Sequence, residues 1–314
     1  MSLPLVSVVI PTYGRPEYLQ RAVESVAQQE YDRLELVVVD DCSPTPAEQS
    51  LSELDLDDIE VTIVRHDENQ GANVARNNGI RKSAGEYVAF LDDDDIWEPA
   101  KIRKQVEAFQ TAPDDVGVVY TGSKYIYDDY ENVETYDITG DVTRDILSGC
   151  SIGNFSTLLV DRAAIDAAGL PDPDLPSWQD RDWLLRLSEH CHFETVAEPL
   201  TVRWCQEGYD RINENFETKR DITYPRFLDK HRSLAATYGT VAERRFVASL
   251  SQSLGYNALK HGYYGDARRF LLKSLYYYPF VTERLLLTMV SLGGGYSYRP
   301  VRWLANVVRG PENA

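Results

Sequence analysis

Along the first 120 residues two hydrophobic periods alternate: apolar runs too short for buried helices, and longer stretches with apolar residues three and four apart. Val6–Ile10, Leu34–Val39, Val61–Val64, Tyr87–Leu91 and Val116–Tyr120 predict five buried strands. Between the first two, Tyr18, Ala22, Val23 and Val26 recur at helical spacing, and another helix is predicted from Ala72, with Gly85 as its C-terminal cap. Such alternation predicts parallel β/α units. In open parallel sheets ligands bind beyond the carboxyl ends of the strands, and three of these five strands run into polar sequence there.

Residues 121–210 are more mixed, with strand-like runs at Phe155–Val160 and Thr195–Trp204 around a helix from about Asp180 to Glu189. They are expected to complete the same domain. After about residue 215 the pattern is helical throughout: Arg245 to Leu259, Ala267 to Tyr277 and Thr282 to Leu292. Leu254-Gly255-Tyr256, with Ala267 eleven residues after Tyr256, matches the spacing of one helix-turn-helix repeat. The expected division is therefore an α/β domain over 1–215 and a helical region over 216–314.

Composition narrows the chemistry. The 314 residues are 43% hydrophobic, enough for a sizeable core, and their 32 Lys and Arg against 50 Asp and Glu give −18, a balance that repels nucleic acid. No apolar run of about 18 residues and no N-terminal leader pattern occur, so a cytoplasmic protein without a membrane span is expected. Cys42, Cys150, Cys191 and Cys205 are scattered, indicating neither a disulfide framework nor a structural zinc site. The charge is uneven: residues 1–230 hold 21 basic and 46 acidic side chains, residues 231–314 hold 11 and 4. Arg outnumbers Lys 24 to 8, and an acidic, Lys-poor surface suits a protein of a high-salt habitat, as in a halophilic archaeon.

Four constellations stand at expected strand or helix ends. Asp40 and Asp41 follow Val37–Val39 and read either as a solvated turn or as acceptors for a nucleotide base and ribose. Asp92-Asp93-Asp94-Asp95 emerges from a buried strand, where like charges repel unless a cation shares them, and oxygen-only ligands select a hard ion such as Mg²⁺ or Mn²⁺. In Asn69–Gly79, Gly71 precedes a helix whose N–H groups suit an anion and Arg76 suits a phosphate; a solvated amphipathic helix fits equally. Asp180, in Trp178–Trp183, is a helix cap or a general base.

Val6-Ser7-Val8-Val9-Ile10-Pro11-Thr12-Tyr13, Val38–Ser43, Asn69–Gly79, Gly85–Asp95 and Gln179–Leu187 together, in this order, resemble the family 2 glycosyltransferases of the GT-A fold. The resemblance spans residues 4 to about 205 and implies a Rossmann-like, mostly parallel sheet flanked by helices. It implies that Pro11, Thr12 and Tyr13 close over a nucleotide, that Asp41 with Asp40 holds the base, and that Arg76 lies near the diphosphate. Asp92-x-Asp94 becomes the Asp-x-Asp element, with Asp92 and Asp94 as ligands of Mn²⁺ or Mg²⁺, Asp93 at the nucleotide, and Asp93 or Asp95 assisting. Asp180 falls at the catalytic base, although Gln179 stands where many members have Glu, which leaves Asp182 open as the base. Processive members carry Gln-x-x-Arg-Trp; here Leu200 precedes Arg203-Trp204 where Gln is needed.

The expected activity is inverting transfer of one sugar from a nucleotide-diphosphate donor to a hydroxyl, with a lipid-linked (dolichol phosphate type) oligosaccharide for protein N-glycosylation as the expected acceptor. A nucleotidyltransferase is the rival enzyme, weakened by the lack of a Gly- and Lys/Arg-rich triphosphate loop. A non-catalytic nucleotide-sugar or partner-binding protein is the rival of another class. The basic tail, with Arg284, Arg299, Arg302 and Arg309 among aromatic and apolar residues, suits either an anionic membrane surface or the inward face of packed helices.

Overall fold

The computed structural model describes residues 3–205, except Asp129, and 215–300, except Arg299. In chain order the first elements are β1 (Val6–Thr12), α1 (Pro16–Ala27), β2 (Leu34–Asp40), α2 (Ala47–Leu51), β3 (Glu60–Arg65), α3 (Ala72–Lys82), β4 (Tyr87–Phe90) and β5 (Asp95–Trp97). Then come α4 (Lys101–Thr111), β6 (Val116–Ile126), β7 (Glu131–Glu134), α5 (Thr143–Ser148), β8 (Leu158–Asp161), α6 (Arg162–Ala168), α7 (Gln179–Ser188) and β9 (His192–Trp204). From Phe216 every described element is helical: α8 (Phe216–Thr218) passes through a π-helical turn into α9 (Tyr224–Thr237), followed by α10 (Thr240–Lys260), α11 (Tyr264–Tyr277) and α12 (Thr282–Leu292). Two compact units result, one of residues 3–142, 152–173 and 179–205, the other of 143–151, 174–178 and 215–300.

In the first unit one sheet runs β3-β2-β1-β4-β8-β6-β9-β5, with β7 on the end of β6. β3, β2, β1 and β4 are parallel, as the alternating pattern predicts. β8 enters antiparallel between β4 and β6, and β5 antiparallel to β9, so the sheet is mixed beyond its first four strands. β1 is buried along its whole length. Val6, Val8 and Ile10 face Leu19, Ala22, Val23 and Val26 of α1 and Ile102 of α4, each buried Val, Leu or Ile side chain contributing roughly 1.5–3 kcal/mol. On the other face α3 packs so closely that a Cβ on Gly79 would lie 2.3 Å from Val9 Cγ1. Phe90, Phe155 and Trp183 interlock there, with ring centroids 5.2–5.6 Å apart, which anchors α7 to the sheet.

Gly85 does not cap α3, which stops at Lys82 with Ser83 extended. It is glycine because β1 passes against it: a Cβ would meet Ser7 Oγ at 2.4 Å, Ser7 N at 2.7 Å and Leu5 O at 2.8 Å.

In the second unit α10 packs on α5, α9, α11 and α12. The Gly255 signature marks helix contact, since a Cβ there would come within 2.7 Å of Leu271 Cγ of α11. Gly262, at φ +80°, makes the turn between α10 and α11.

Candidate active site

The carboxyl ends of β1, β2 and β3 stand in register, Thr12 beside Asp40 and Asp40 beside Arg65. Asp40 is wholly buried and its carboxylate is occupied by the fold. The backbone N–H groups of Ser43 (2.7 Å) and Ala47 (2.9 Å) and the Arg65 guanidinium all donate to it. Burial opposes its charge, but these donors hold its pKa below the ordinary value. Asp41 accepts from the N–H of Gln70 (2.8 Å) and Gly71 (2.7 Å) and lies 2.7 Å from His66 Nδ1, which moors the start of α3. Gly71 supplies the φ of +91° this turn requires. Pro11 is buried in β1, whereas Tyr13, just past its end, is half exposed.

β4 delivers the chain to Asp92, where a turn closed by the Asp95 N–H on the Asp92 carbonyl (3.0 Å) gathers the four carboxylates. Asp93 and Asp95 are buried; Asp92 and Asp94 are partly exposed. Asp95 opens β5 opposite Arg203 of β9, whose Nε donates to it at 3.1 Å. Asp93 is tied to the end of β1, accepting from Thr12 Oγ1 (2.8 Å) and from Arg15 (3.2 Å), which also reaches Asp94 (3.1 Å). Asp92 receives the Arg76 guanidinium. Burial pushes Asp93 up to about 7 and raises Asp95 as well; at Asp92 burial is outweighed by Arg76, with Arg203 and Arg15, and the carboxyl stays low. Carboxylate oxygens of Asp92, Asp94 and Asp95 lie within 4.8 Å of one another, an all-oxygen set that fits a hard divalent ion.

Arg76 of α3 is buried, stacks 4.0 Å over the Phe155 ring, and donates to Asn73 Oδ1 (3.0 Å) and Gln179 Oε1 (3.4 Å). Gln179 begins α7, and Asp180 follows it, partly exposed. Asp180 accepts the Arg181 N–H at 2.8 Å; burial raises its pKa against the pull of that N–H, Arg203 and Arg76. Asp182 is wholly buried against Arg186 Nε (3.1 Å), and Arg186 also donates to the carbonyls of Ala168 (2.8 Å) and Leu170 (2.9 Å).

The structure thus brings Asp92, Asp94, Arg76 and Thr12 to one end of the sheet, with Asp180 within the electrostatic influence of Arg76 and Asp92. Sequence reasoning missed the partners Arg15 and Arg203. Arg15 stands three residues past the end of β1, just before α1, where a strand-end cation could have been sought; Arg203 becomes a partner of Asp95 only through the pairing of β5 with β9.

A sequence model described as Glycosyl transferase family 2 matches residues 7–161. TuaG of Bacillus subtilis (strain 168), named for teichuronic acid biosynthesis, is 31% identical over 188 residues, 56% of this chain and 71% of TuaG. The chain belongs to the family 2 glycosyltransferases. WfgD of Escherichia coli, named as a UDP-Glc:alpha-D-GlcNAc-diphosphoundecaprenol beta-1,3-glucosyltransferase, is 26% identical to this glycosyltransferase over 174 residues, 53% of this chain and 64% of WfgD. Among solved structures, S. aureus TarS 1-349 in complex with UDP-GlcNAc superposes with a TM-score of 0.58 at 18% identity, covering 87% of this chain and 91% of that one. Mannosyltransferase PcManGT from Pyrobaculum calidifontis, in complex with GDP-Man and Mn²⁺, gives 0.51 at 18% identity, covering 98% and 81%. These likenesses show the GT-A fold of the glycosyltransferase.

Proposed function

We propose that this enzyme transfers one sugar from a nucleotide-diphosphate donor to a hydroxyl of a lipid-linked glycan, with inversion, at the cytoplasmic face of the membrane. The carrying observation is the carboxylate trio Asp92, Asp94 and Asp95 at the mouth of β4. In this reading Asp41 and the Pro11-Thr12-Tyr13 strand end receive the nucleotide, with Asp40 holding the loop that carries Asp41. Arg76 and Asp93 line the diphosphate side. Asp92 and Asp94, helped by Asp95, would hold Mn²⁺ or Mg²⁺, which when bound neutralises negative charge on the departing diphosphate.

Asp180 takes the acceptor proton as the hydroxyl oxygen bonds to the anomeric carbon, and the bond from that carbon to the diphosphate oxygen breaks with its electron pair leaving on phosphate. A carboxyl whose pKa burial has raised is a better base than one fixed in an ion pair, which favours Asp180 over Asp182. The name of WfgD, whose acceptor is a diphosphoundecaprenol-linked sugar, supports a lipid-linked acceptor. A dolichol-linked glycan for N-glycosylation is the narrower form, and the halophilic habitat rests on the Arg-rich acidic composition alone. We place the boundary of the catalytic domain near residue 215.

The test is turnover of a panel of UDP- and GDP-sugars with Mn²⁺ and a soluble diphosphate-linked glycan, read by NMR at the anomeric carbon. Inverted product is expected. Product of retained configuration, or no turnover of any nucleotide sugar, refutes the reading.

A further inference from the structure

Helix α12 has its sides exchanged. The residues it buries are polar, Arg284, Thr288 and Ser291. Their needs are met internally: Arg284 donates to Gln252 Oε1 (2.7 Å) and the Tyr278 carbonyl (3.0 Å), Thr288 to the Arg284 carbonyl (2.6 Å) and Ser291 to the Thr288 carbonyl (2.6 Å). The residues it turns outward are Leu285, Leu286, Met289 and Leu292, 44–59% exposed. Tyr276 and Phe280 before the helix and Tyr296 after it are 75%, 81% and 96% exposed. A helix on a water-facing surface points its apolar stripe at the core, so this one is built for a cover.

Charge selects the cover. Residues 231–314 hold 11 basic and 4 acidic side chains, of which Arg284 is buried and Arg299, Arg302 and Arg309 lie outside the described residues. Arg244 and Arg245 adjoin the aromatic rim, Arg244 donating to the carbonyls of Tyr276 and Tyr277 and Arg245 to the Tyr278 hydroxyl. A second copy of the chain would bring an equally basic face against this one; an anionic lipid surface attracts it. Exposed rings beside leucines match headgroups above and acyl chains below. Among the described residues no helix is long and apolar enough to cross a membrane, so the contact is lateral.

We propose that the outward face of α12, flanked by Tyr276, Phe280 and Tyr296, docks on an anionic lipid membrane. The docking rests on the function proposed above for its purpose, as a lipid-linked acceptor is met at that surface. Arg284, counted among the tail's cations from sequence, takes no part because it is buried.

The experiment is flotation of the full chain with vesicles of equal phosphatidylglycerol and phosphatidylcholine, beside the L286E/M289E variant and an F280S variant. Wild type is expected to float, more weakly at about 1 M salt where screening shortens to about 3 Å. L286E/M289E should bind about 100-fold more weakly and F280S about tenfold, from roughly tenfold per apolar side chain withdrawn from lipid, with donor hydrolysis and unfolding temperature unchanged. Failure of wild type to float, or equal flotation of wild type and L286E/M289E, overturns the proposal. So does a wild-type dimer in sedimentation that L286E/M289E dissociates without any vesicle binding. Flotation without donor turnover upholds the docking face and counts against the proposed function alone.

Discussion

Replacing Asp180 and Asp182 separately by asparagine separates chemistry from architecture within two residues. Asp182 is wholly buried and paired with Arg186, so Asp182→Asn leaves a guanidinium without its counter-charge. Breaking a buried pair costs roughly 3–5 kcal/mol. Arg186 keeps the carbonyls of Ala168 and Leu170 and is itself 17% exposed, which brings the expectation to about 2–3 kcal/mol, or roughly 5–10 °C in unfolding temperature. The folded fraction should turn over normally. Asp180→Asn should lower kcat about 10²–10⁴-fold, roughly 3–5 kcal/mol of barrier, through loss of the base. Its stability should stay within about 1 kcal/mol of wild type, because burial already disfavours the charge there. Initial rates of sugar transfer, donor affinity by calorimetry and thermal unfolding read all three quantities. A raised Asp180 pKa also makes wild-type kcat/KM fall as pH drops through a midpoint above the usual carboxylate range, a limb that Asp180→Asn should lack. An inactive, fully stable Asp182→Asn beside an active Asp180→Asn would refute this reasoning.

Asp94→Asn should weaken nucleotide-diphosphate binding and abolish its dependence on Mn²⁺, and chelation with EDTA should do the same to wild type; calorimetry that finds Mn²⁺ dependence intact in the variant removes the metal assignment. Gly85→Ala should cost about 3 kcal/mol, the upper end for overpacking, because the new methyl meets the backbone N of Ser7 and O of Leu5 as well as a hydroxyl. A denaturation midpoint equal to wild type would show that the chains part without strain. Burial holds the Cys191 thiol at about 12, so iodoacetamide at pH 8 should label exposed Cys150 and spare Cys191, as peptide mass mapping will read. Early modification of Cys191 would contradict the packing around it.

The first four parallel strands were legible because each is a continuous buried run bounded by a helix-period segment, and neither signal needs distant information. β5 was not, because three residues that begin on the last Asp of an acidic run form a strand only through β9, more than a hundred residues on. For the same reason the Asp run could be placed but not divided: Thr12 and Arg15 claim Asp93, Arg203 claims Asp95, and each claim is tertiary. Gly85 misled because a glycine that ends a helix and one that admits a neighbouring strand look alike in sequence. In the tail, apolar and basic residues were visible, but their sides were not, and Arg284 lies on the opposite side from the leucines next to it.

Three guanidinium groups, those of Arg15, Arg76 and Arg203, stand against the four carboxylates of Asp92–Asp95. The cluster is therefore close to electrically balanced before anything binds. A divalent cation arriving alone finds little charge left to neutralise, and a diphosphate arriving alone meets carboxylates beside the arginines. In the proposed reaction each makes the site better for the other, so metal and nucleotide should load as a cooperative pair. Linkage then fixes a symmetry: the factor by which Mn²⁺ tightens the nucleotide equals the factor by which the nucleotide tightens Mn²⁺. In that reaction a site so balanced takes up metal together with donor, which would tie its occupancy to the supply of activated sugar.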